Sequence, residues 1–312
     1  MSNRLLLTFT LSIFLFLGPV ASADTIRIAS QNLNRLFDDV DNGRREKVET
    51  SQKFQQRLNL TAKVIAQQFQ AAHIIGFQEV ENTNVLERLA EQISDQGGQE
   101  YRAILLPGND SSSINIGYLI HKELRIEDSR QLFKRSRLGS NPLFSRPPLL
   151  MKVCLKTCLT LVNLHLRSMR GLRSAKKSRY VSNKRRKQAI ELAKWVNTFQ
   201  EKQPDQSLML LGDFNALTPP DGFTDIIGTI IGNPSNIDVR FPSNDLVKLD
   251  LIDLTRQIPA AERYSYIYKG HKQIIDYMLV NQSFAPKLNH IRFGKINRAF
   301  SDHAGLLAEF NW

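Results

Sequence analysis

Hydrophobic positions along the chain follow two alternating periodicities. Apolar residues three and four positions apart predict amphipathic helices at 53–70, 84–93 and 184–200. Shorter apolar runs predict strands at 25–34, 74–79, 101–106, 115–121, 149–154, 159–165, 207–211, 274–280 and 305–310. Because strand pairs joined by hairpins are mixed with strand–helix–strand units, we predict an α/β fold of mixed sheets layered with helices.

Residues 1–23 have the pattern of a secretory signal peptide. Arg4 precedes an apolar run at 5–17, and Ala21 and Ala23 supply the small residues for cleavage after Ala23. The run is shorter than the roughly 20 apolar residues that a transmembrane helix needs, so we expect no membrane anchor. No Ser/Gly-rich linker divides the remainder. We therefore expect residues 24–312 to form one domain in the periplasm or outside the cell.

Positive charge is concentrated in one part of the sequence. The chain has 42 Lys and Arg against 30 Asp and Glu, and its formal net charge is +12. Residues 129–190, called here the acid-free segment, contain no Asp or Glu but 17 Lys and Arg. Such a segment indicates a polyanionic partner, and a solvated loop and helix face is the alternative. Its densest part contains Arg167, Arg170, Arg173, Lys176, Lys177, Arg179, Lys184, Arg185, Arg186 and Lys187.

The two cysteines, Cys154 and Cys158, lie in two short predicted strands on either side of a turn. In an oxidising compartment, a disulfide across this hairpin would contribute about 2 kcal/mol to stability by chain-entropy arithmetic. A zinc site would need further ligands at matching spacing, and the sequence shows none. The pair is expected to be structural.

Polar residues cluster where the predicted strands end. Several such groups meeting in one cleft would explain why they interrupt apolar runs, since polar groups are costly to bury without partners. Each cluster alone is more typical of a cap or a turn, but the ordered set indicates a catalytic site. The clusters are Gln31-Asn32-Leu33-Asn34, Gln78-Glu79-Val80-Glu81-Asn82, Asn163-Leu164-His165, Gly212-Asp213-Phe214-Asn215, Ile275-Asp276-Tyr277 and Ser301-Asp302-His303.

In their order and spacing, these motifs resemble the endonuclease/exonuclease/phosphatase superfamily, which includes pancreatic-type deoxyribonucleases, apurinic nucleases, sphingomyelinases and inositol polyphosphate phosphatases. The resemblance extends over essentially all of residues 24–312. It implies a four-layered α/β sandwich of two packed mixed sheets flanked by helices, with the active site at one end.

The resemblance also implies a metal site for Mg²⁺, with Mn²⁺ or Ca²⁺ as alternatives. Glu79 would be the principal metal carboxylate, a hard oxygen ligand of the kind that Mg²⁺ prefers. Asn32 and Asn34 would complete the inner shell or bind the phosphate, and Asp302 would lie beside the metal. Many relatives have Asp at the position of Asn34, so the neutral amide here would weaken metal binding.

The remaining motif residues would carry out the catalysis. Asp213 would orient or deprotonate the attacking water, and Asn215 would donate to phosphate oxygens. His303 would contact the scissile phosphate, with Asp276 fixing its tautomer and favouring its charged form. His165 would be an acid for the leaving oxygen, and Asp302 would also lie beside the water.

Two departures from the pancreatic pattern concern substrate and protonation. Ile116 stands where those enzymes have a Glu that pairs with the His corresponding to His165, and Glu81 replaces an Arg that enters the minor groove. Phe144-Ser145-Arg146-Pro147 is similar to their phosphate-contacting segment. The expected nucleic-acid phosphate ligands are Arg146, Arg167, Arg170, Arg173, Lys176 and Lys177.

Three functions remain open at this point. The first is a secreted, metal-dependent endonuclease, expected to be a monomer, that cleaves DNA, with RNA as a further candidate substrate. The second is a phospholipid phosphodiesterase such as a sphingomyelinase, although residues 167–187 contain only Tyr180 as an aromatic membrane anchor. The third is a catalytically silent polyanion-binding module, for which the retained acid–base residues would have no use.

Overall fold

The computed structural model describes residues 25–70 and 72–312. The predicted signal peptide lies outside these residues. Two six-stranded mixed sheets pack face to face, as the α/β sandwich prediction requires. Among the described residues, no helix is long and apolar enough to cross a membrane.

The first sheet has the strand order β15-β16-β1-β2-β4-β3. β1 and β2 are parallel, and the other neighbours pair antiparallel. Its strands are β1 (Thr25–Leu36), β2 (Ile74–Val80), β3 (Tyr101–Leu105), β4 (Asn115–His121), β15 (Leu288–Phe293) and β16 (Leu306–Asn311).

The second sheet has the strand order β11-β14-β10-β9-β8-β5, in which only β9 and β10 are parallel. Its strands are β5 (Arg125–Gln131), β8 (Leu149–Cys154), β9 (Cys158–His165), β10 (Ser207–Asp213), β11 (Ile252–Asp253) and β14 (Asp276–Val280). Two hairpins lie outside both sheets: β6 (Arg137–Leu138) with β7 (Asn141–Pro142), and β12 (Tyr266–Tyr268) with β13 (His271–Gln273).

Helices cover the outer face of each sheet and complete the four layers. α1 (Ser51–Phe69) and α2 (Thr83–Asp95) pack on the first sheet, and α3 (Ser178–Lys202) and α4 (Ile226–Ile231) pack on the second. Short 3₁₀ helices occupy Leu254–Gln257 and Ala285–Lys287. The alternation of a strand divides its side chains between layers: Met209 and Leu211 of β10 face the first sheet, whereas Leu208 and Leu210 face α3.

A buried polar network joins the two sheets beneath the strand ends. The Gln78 amide nitrogen on β2 donates to the Asn163 side-chain oxygen on β9 at 2.7 Å. The Asn163 amide nitrogen donates in turn to the carbonyls of Phe77 and Gly117, at 3.0 and 2.9 Å. Hydrogen bonds between buried side chains and backbone carbonyls restrict the arrangement of the strands that carry them. These contacts set the positions of β2 and β9, which carry Glu79 and His165 in their last two positions.

The predicted disulfide between Cys154 and Cys158 is present and joins β8 to β9. It closes the hairpin at the end opposite to His165. The pair therefore lies at the end of the sheet opposite to the polar residues and has a structural place, as expected.

Candidate active site

The polar strand ends from both sheets meet at one end of the sandwich. The Asn32 amide nitrogen on β1 lies 3.1 Å from an Asp213 carboxylate oxygen on β10 and 3.4 Å from a Glu79 oxygen on β2. The His165 Nε2 on β9 lies 3.5 Å from Asp213 and 3.8 Å from Glu79. Four residues that lie far apart in the sequence thus surround one point.

Strand register brings the second carboxylate and the imidazole to the same place. Asp213 pairs with His165 on one side and with Asp276 on the other. An Asp276 oxygen lies 2.8 Å from the His303 Nδ1, and both side chains are buried. Because a buried carboxylate stabilises an imidazolium, Asp276 orients His303 and favours its charged form.

The pKa values of the two central groups are moved in ways that suit phosphate chemistry. Burial, reinforced by the negative charges of Asp276 and Glu79, raises the pKa of Asp213 to about 7. Burial alone would lower the pKa of His303, but the contact with Asp276 and the charges of Asp213 and Asp302 raise it to about 10. At neutral pH the site therefore holds a positive His303 and an Asp213 close to its titration point.

His165 is neutral in this setting. Burial, followed by the positive charges of Arg146 and His303, lowers its pKa well below the ordinary value. Its Nδ1 is buried and has no hydrogen-bond partner among the described residues. Ile116, at the position where pancreatic enzymes have the pairing Glu, is a buried apolar residue of β4. Burial and the neighbouring positive charges therefore outweigh the nearby carboxylates, and His165 carries no extra proton at neutral pH.

The loop before β16 is fastened to the end of β1. The Ser301 hydroxyl donates to the Asn32 carbonyl at 2.7 Å and accepts from the His303 backbone N–H at 3.1 Å. Asp302 lies between these anchors and is partly exposed. A single backbone arrangement thus places Asp302 at the opening of the site and His303 inside it.

Three site residues have the left-handed backbone conformation that non-glycine residues rarely adopt: Asn34 at φ 46°, Glu79 at 59° and Asn215 at 50°. The Asn215 backbone N–H donates to Asp213 at 2.8 Å, and its side-chain amide donates to the Leu166 carbonyl at 3.2 Å. Asn34 is exposed, and its backbone N–H donates to the Asn32 side-chain oxygen. Strained backbone of this kind is typical of functional sites.

The donor set fits a hard divalent cation. Glu79, Asp213, Asp276 and Asp302 bring four carboxylates to a site whose only charged imidazole is His303. The negative charges of Asp276 and Glu79 add to the burial that raises the pKa of Asp213. Oxygen-rich surroundings are what Mg²⁺ and Ca²⁺ bind. In this arrangement Asn32 turns its nitrogen toward the carboxylates and so holds Glu79 and Asp213 together. Its oxygen accepts from Asn34.

Asp213, Asp276 and His303 form a second group that could bind a metal, because their ligand atoms lie within 4.8 Å of one another. His303 Nδ1, however, is bonded to Asp276 and keeps its proton to about pH 10. A cation bound there would have to displace that proton. The partly exposed Glu79 carboxylate, with Asp302, offers oxygen ligands without this cost.

The predicted phosphate ligands divide into two groups. Arg146 is paired with Asp110 at 2.9 Å, and Arg167 is half-buried and donates to the Arg170 carbonyl at 3.0 Å. The exposed members of the set are Arg170, Arg173, Lys176 and Lys177, all on the loop that leaves β9 after His165.

Lys184 and Arg185 belong to the densest part of the basic run, but they do not face solvent and are buried on α3. The Lys184 ammonium donates to the Pro142 carbonyl at 2.9 Å. The Arg185 guanidinium pairs with Asp221 at 2.9 Å and donates to the carbonyls of Arg167 and Asn215. Burial explains the difference, because both lie on the helix face that packs against the sandwich.

Two residues at the site were not predicted from the sequence. The Arg57 guanidinium on α1 donates to the carbonyls of Arg35, Leu33 and Asn34, at 2.6, 2.8 and 3.3 Å, and so holds the left-handed end of β1. Nothing in the helical pattern marks Arg57. The Tyr266 ring lies 5.1 Å from the His303 ring, centre to centre. The alternation Tyr264-Ser-Tyr266-Ile-Tyr268 before a Lys-Gly turn is a signal that could have identified it.

Comparisons with known proteins agree with this architecture. Residues 27–301 match the model of a family described as the endonuclease/exonuclease/phosphatase family. No curated protein sequence matches the chain. Humanized TDP2 from D. rerio is similar in structure, with a TM-score of 0.60 and 17% identity, covering 92% of this chain and 99% of that chain.

Two bacterial structures are similar to the same extent. The 3′ phosphatase NExo from Neisseria, bound to a product DNA hairpin, has a TM-score of 0.57 and 18% identity, covering 92% of this chain and 100% of that chain. A mannosyl-6-phosphatase from Bacteroides thetaiotaomicron has a TM-score of 0.56 and 15% identity, covering 91% and 98%. At these identities the likeness concerns the fold.

Proposed function

This chain belongs to the endonuclease/exonuclease/phosphatase family and is a phosphoesterase of that family, and we propose that it is a nuclease that hydrolyses phosphodiester bonds in DNA, with RNA as a further candidate substrate. The proposed cofactor is Mg²⁺, with Mn²⁺ or Ca²⁺ as alternatives. Glu79 and Asp302 would hold it, with Asn34 and Asn32 beside them. When bound, the cation would neutralise charge on the phosphate oxygens and favour the ionised form of a bound water.

The observation that carries the proposal is the run of exposed cations next to the catalytic residues. The chain leaves β9 at His165 and enters a loop with Arg170, Arg173, Lys176 and Lys177 exposed on its surface. No Asp or Glu offsets them within residues 129–190. An array of positive charges attracts a polymer of phosphates, whereas one phosphomonoester would need only the catalytic residues.

The chain's own residues divide the chemistry between acid–base and electrostatic work. Asp213, with a pKa of about 7, is suited to orient an attacking water and take its proton. His303, charged and held by Asp276, is suited to stabilise negative charge on the phosphate oxygens in the transition state. Asn215 has an amide hydrogen beyond the one given to Leu166 and would donate it to phosphate.

Because His165 is neutral, it has no extra proton to give as a general acid. It is better suited to position neighbouring groups through its one remaining N–H. Its Nε2 faces Asp213 and Glu79 at 3.5 and 3.8 Å, so an N–H at Nε2 would donate toward these carboxylates. That tautomer leaves the buried Nδ1 as an acceptor without a partner. We propose that His165 positions the carboxylates and that the leaving oxygen takes its proton from water.

Support for DNA also comes from the Neisseria relative, whose structure holds a DNA hairpin product. The mannosyl-6-phosphatase, in contrast, shows that a similar fold serves a sugar phosphate. The lipid alternative gains little from the acid-free segment, because its exposed loop is cationic and lacks an aromatic cluster.

The test is hydrolysis by residues 24–312 of supercoiled plasmid, linear DNA, RNA, sphingomyelin and mannose 6-phosphate, each with Mg²⁺ and with EDTA. Nicking of the plasmid with Mg²⁺ only is the expected result. Faster hydrolysis of sphingomyelin or of the sugar phosphate than of DNA would overturn the nuclease proposal. DNA binding without hydrolysis of any substrate would indicate the silent polyanion-binding module.

We also propose that the mature protein is secreted to the periplasm or the medium, as a monomer without a membrane anchor. Expression of the full chain in a bacterial host, followed by N-terminal sequencing of the exported product, should give Asp24 as the first residue. Retention of Met1 in the cytoplasmic fraction would contradict this.

A further inference from the structure

The end of β1 departs from regular pairing with β2 beside the proposed metal ligand Glu79. Residues 33–35, called here the β1 bulge, lie between two paired positions that only Glu79 separates on β2. Such an insertion bends the strand and leaves backbone groups outside the ladder. Asn34, Arg35 and Glu79 also have positive φ, at 46°, 58° and 59°. Backbone of this kind persists only where the surrounding structure holds it in place.

One guanidinium supplies this support. Arg57 on α1 donates to the carbonyls of all three residues of the β1 bulge, at 2.6, 2.8 and 3.3 Å. Its Nη2 also donates to the Phe300 carbonyl at 3.5 Å, in the loop that leads to Asp302. A single side chain therefore joins the backbone opposite Glu79 to the backbone that carries the second proposed metal ligand.

Helix geometry places Arg57 at the margin of the buried face of α1. Phe54 and Leu58 are buried in the core beneath the helix, and Arg57 lies three residues after the first and one before the second. Its side chain is partly buried and ends at the β1 bulge. Because a guanidinium carries five N–H donors in a fixed fork, it can serve several carbonyls at once, whereas a lysine ammonium is a compact charge on a flexible stem.

The charge of Arg57 and its hydrogen bonds have opposite consequences for a metal site. The negative charges of Glu49 and Glu79 act on the Arg57 guanidinium, so the positive charge of Arg57 acts in turn on Glu79. A positive charge near a metal carboxylate repels an incoming cation. By charge alone, removal of Arg57 would tighten metal binding. By loss of the hydrogen bonds to the β1 bulge, removal would weaken it.

We propose that Arg57 is a positioning residue of the metal site. By holding the β1 bulge and the Phe300 carbonyl together, it fixes the backbone from which Glu79 and Asp302 offer their carboxylates. The inference rests on the proposed function, in which a divalent cation binds at these two residues. It adds a residue of α1 that touches neither the cation nor the phosphate and that sets the affinity for the cation.

The experiment measures Mn²⁺ binding to residues 24–312 without substrate, from the electron paramagnetic resonance signal of the free ion. Arg57→Met removes the guanidinium but keeps an unbranched side chain. It should weaken Mn²⁺ binding by about 10- to 100-fold, the scale typical of residues behind metal ligands. Arg57→Lys keeps the charge without the fork, and its affinity should fall between those of Arg57→Met and wild type.

Further variants assign the bound ion and control for folding. Glu79→Gln should remove most of the Mn²⁺ binding, which places the measured ion at this site. Lys63→Met, exposed on the same helix, removes one positive charge from α1 and is the matched control that should bind Mn²⁺ like wild type. Circular dichroism and thermal unfolding without metal show whether each variant is folded. If Arg57→Met is unfolded, Arg57→Lys decides the question.

Unchanged or tighter Mn²⁺ binding by the folded Arg57 variants would overturn the inference, because Arg57 would then act on stability or by charge alone. Absence of Glu79-dependent Mn²⁺ binding in the wild type would overturn it together with the proposed cofactor. Plasmid hydrolysis is scored separately. Arg57-dependent metal binding in a protein that cuts no DNA would retain the inference and reject the nuclease. Cleavage of DNA with equal Mn²⁺ affinities in wild type and variants would do the opposite.

Discussion

The contact between Asp276 and His303 determines the charge of the imidazole at the phosphate position. A histidine buried without a partner is neutral at pH 7, and His165 in the same site illustrates this. His303 is buried to a similar extent but remains charged, because Asp276 lies 2.8 Å from its Nδ1. One carboxylate thus separates the roles of two histidines.

We expect Asp276→Asn to move the alkaline limb of the kcat/KM profile to lower pH. His303 is active as an imidazolium, and its pKa is about 10 in the wild type. Without the carboxylate, burial dominates and the pKa falls, so activity should be lost more than one pH unit earlier. Hydrolysis of DNA between pH 6 and 10 measures this, since kcat/KM reports the pKa of the free enzyme. An unchanged alkaline limb with a lower rate would contradict the assignment.

Glu79→Gln should raise the Mg²⁺ concentration needed for half-maximal activity by about 10-fold or more, because even residues behind metal ligands affect affinity on that scale. The substitution keeps the shape and removes the charge. Titration of activity with Mg²⁺ is the measurement, and Glu91→Gln, exposed on α2, is the control. Full activity of the wild type in EDTA would exclude metal dependence.

The sequence predicted only part of the set of side chains that meet in the candidate active site. Strand ends with polar residues were visible, but only the register shows that Asp213 stands between His165 and Asp276. The Arg57 guanidinium donates to backbone carbonyls, and because every residue has a carbonyl, the sequence does not indicate which ones Arg57 contacts. Long-range pairing of this kind depends on the order of strands in the sheets, and hydrophobic periodicity carries no information about it.

At the scale of elements, helix α3 combines two kinds of basic residue. Its first turns carry Arg179 and Lys187 on the exposed side and Lys184 and Arg185 on the buried side. Burial lowers the pKa of Lys184 to about 8, with Arg146 and Arg167 adding to the effect. The helix thereby anchors the start of the cationic loop, because Arg185 holds the Arg167 carbonyl.

Arg185→Met should lower the free energy of unfolding by about 3–5 kcal/mol, the cost of removing one partner of a buried ion pair. Asp221 would be left without its cation, and two carbonyls would lose a donor. Urea denaturation gives the value. The neighbouring exposed Lys187→Gln should change it by less than about 0.5 kcal/mol. Equal effects of the two variants would show that the pair contributes nothing.

Element boundaries followed the sequence wherever the apolar pattern was strong. The strands at 115–121 and 149–154 have the predicted bounds, and α1 spans Ser51–Phe69 against a prediction of 53–70. β5 was missed because Arg-Ile-Glu-Asp-Ser-Arg-Gln is a polar edge strand with one apolar residue. α3 begins at Ser178, six residues before its predicted start, because its first turns are cationic rather than periodic.

For the whole molecule, the main feature is the separation of positive and negative charge. The two sheets bring four carboxylates to one end, and the acid-free segment provides exposed cations next to them. Composition alone predicted a polyanionic partner. It could not separate the cations that support the fold from those that face solvent, since both kinds alternate along α3.

The salt dependence of DNA binding tests the exposed cations. Each phosphate neutralised on duplex DNA contributes about −0.9 to the slope of log K against log salt. Replacing Arg170, Arg173, Lys176 and Lys177 with Gln should weaken binding to all sequences alike and flatten the slope by up to about 3 to 4, while unfolding is unchanged because these side chains are exposed. The measurement is fluorescence anisotropy in EDTA, which prevents cleavage.

A variant with the same change in net charge separates local contact from the overall field. Lys63, Lys194, Lys202 and Lys295 are exposed and lie outside the loop after His165. Replacing these four with Gln also removes four positive charges, but no ion pair with the bound phosphates should be lost. The slope should therefore stay within about one unit of wild type. If both variants flatten the slope equally, DNA responds to net charge alone, and the cationic loop does not form the nucleic-acid contact.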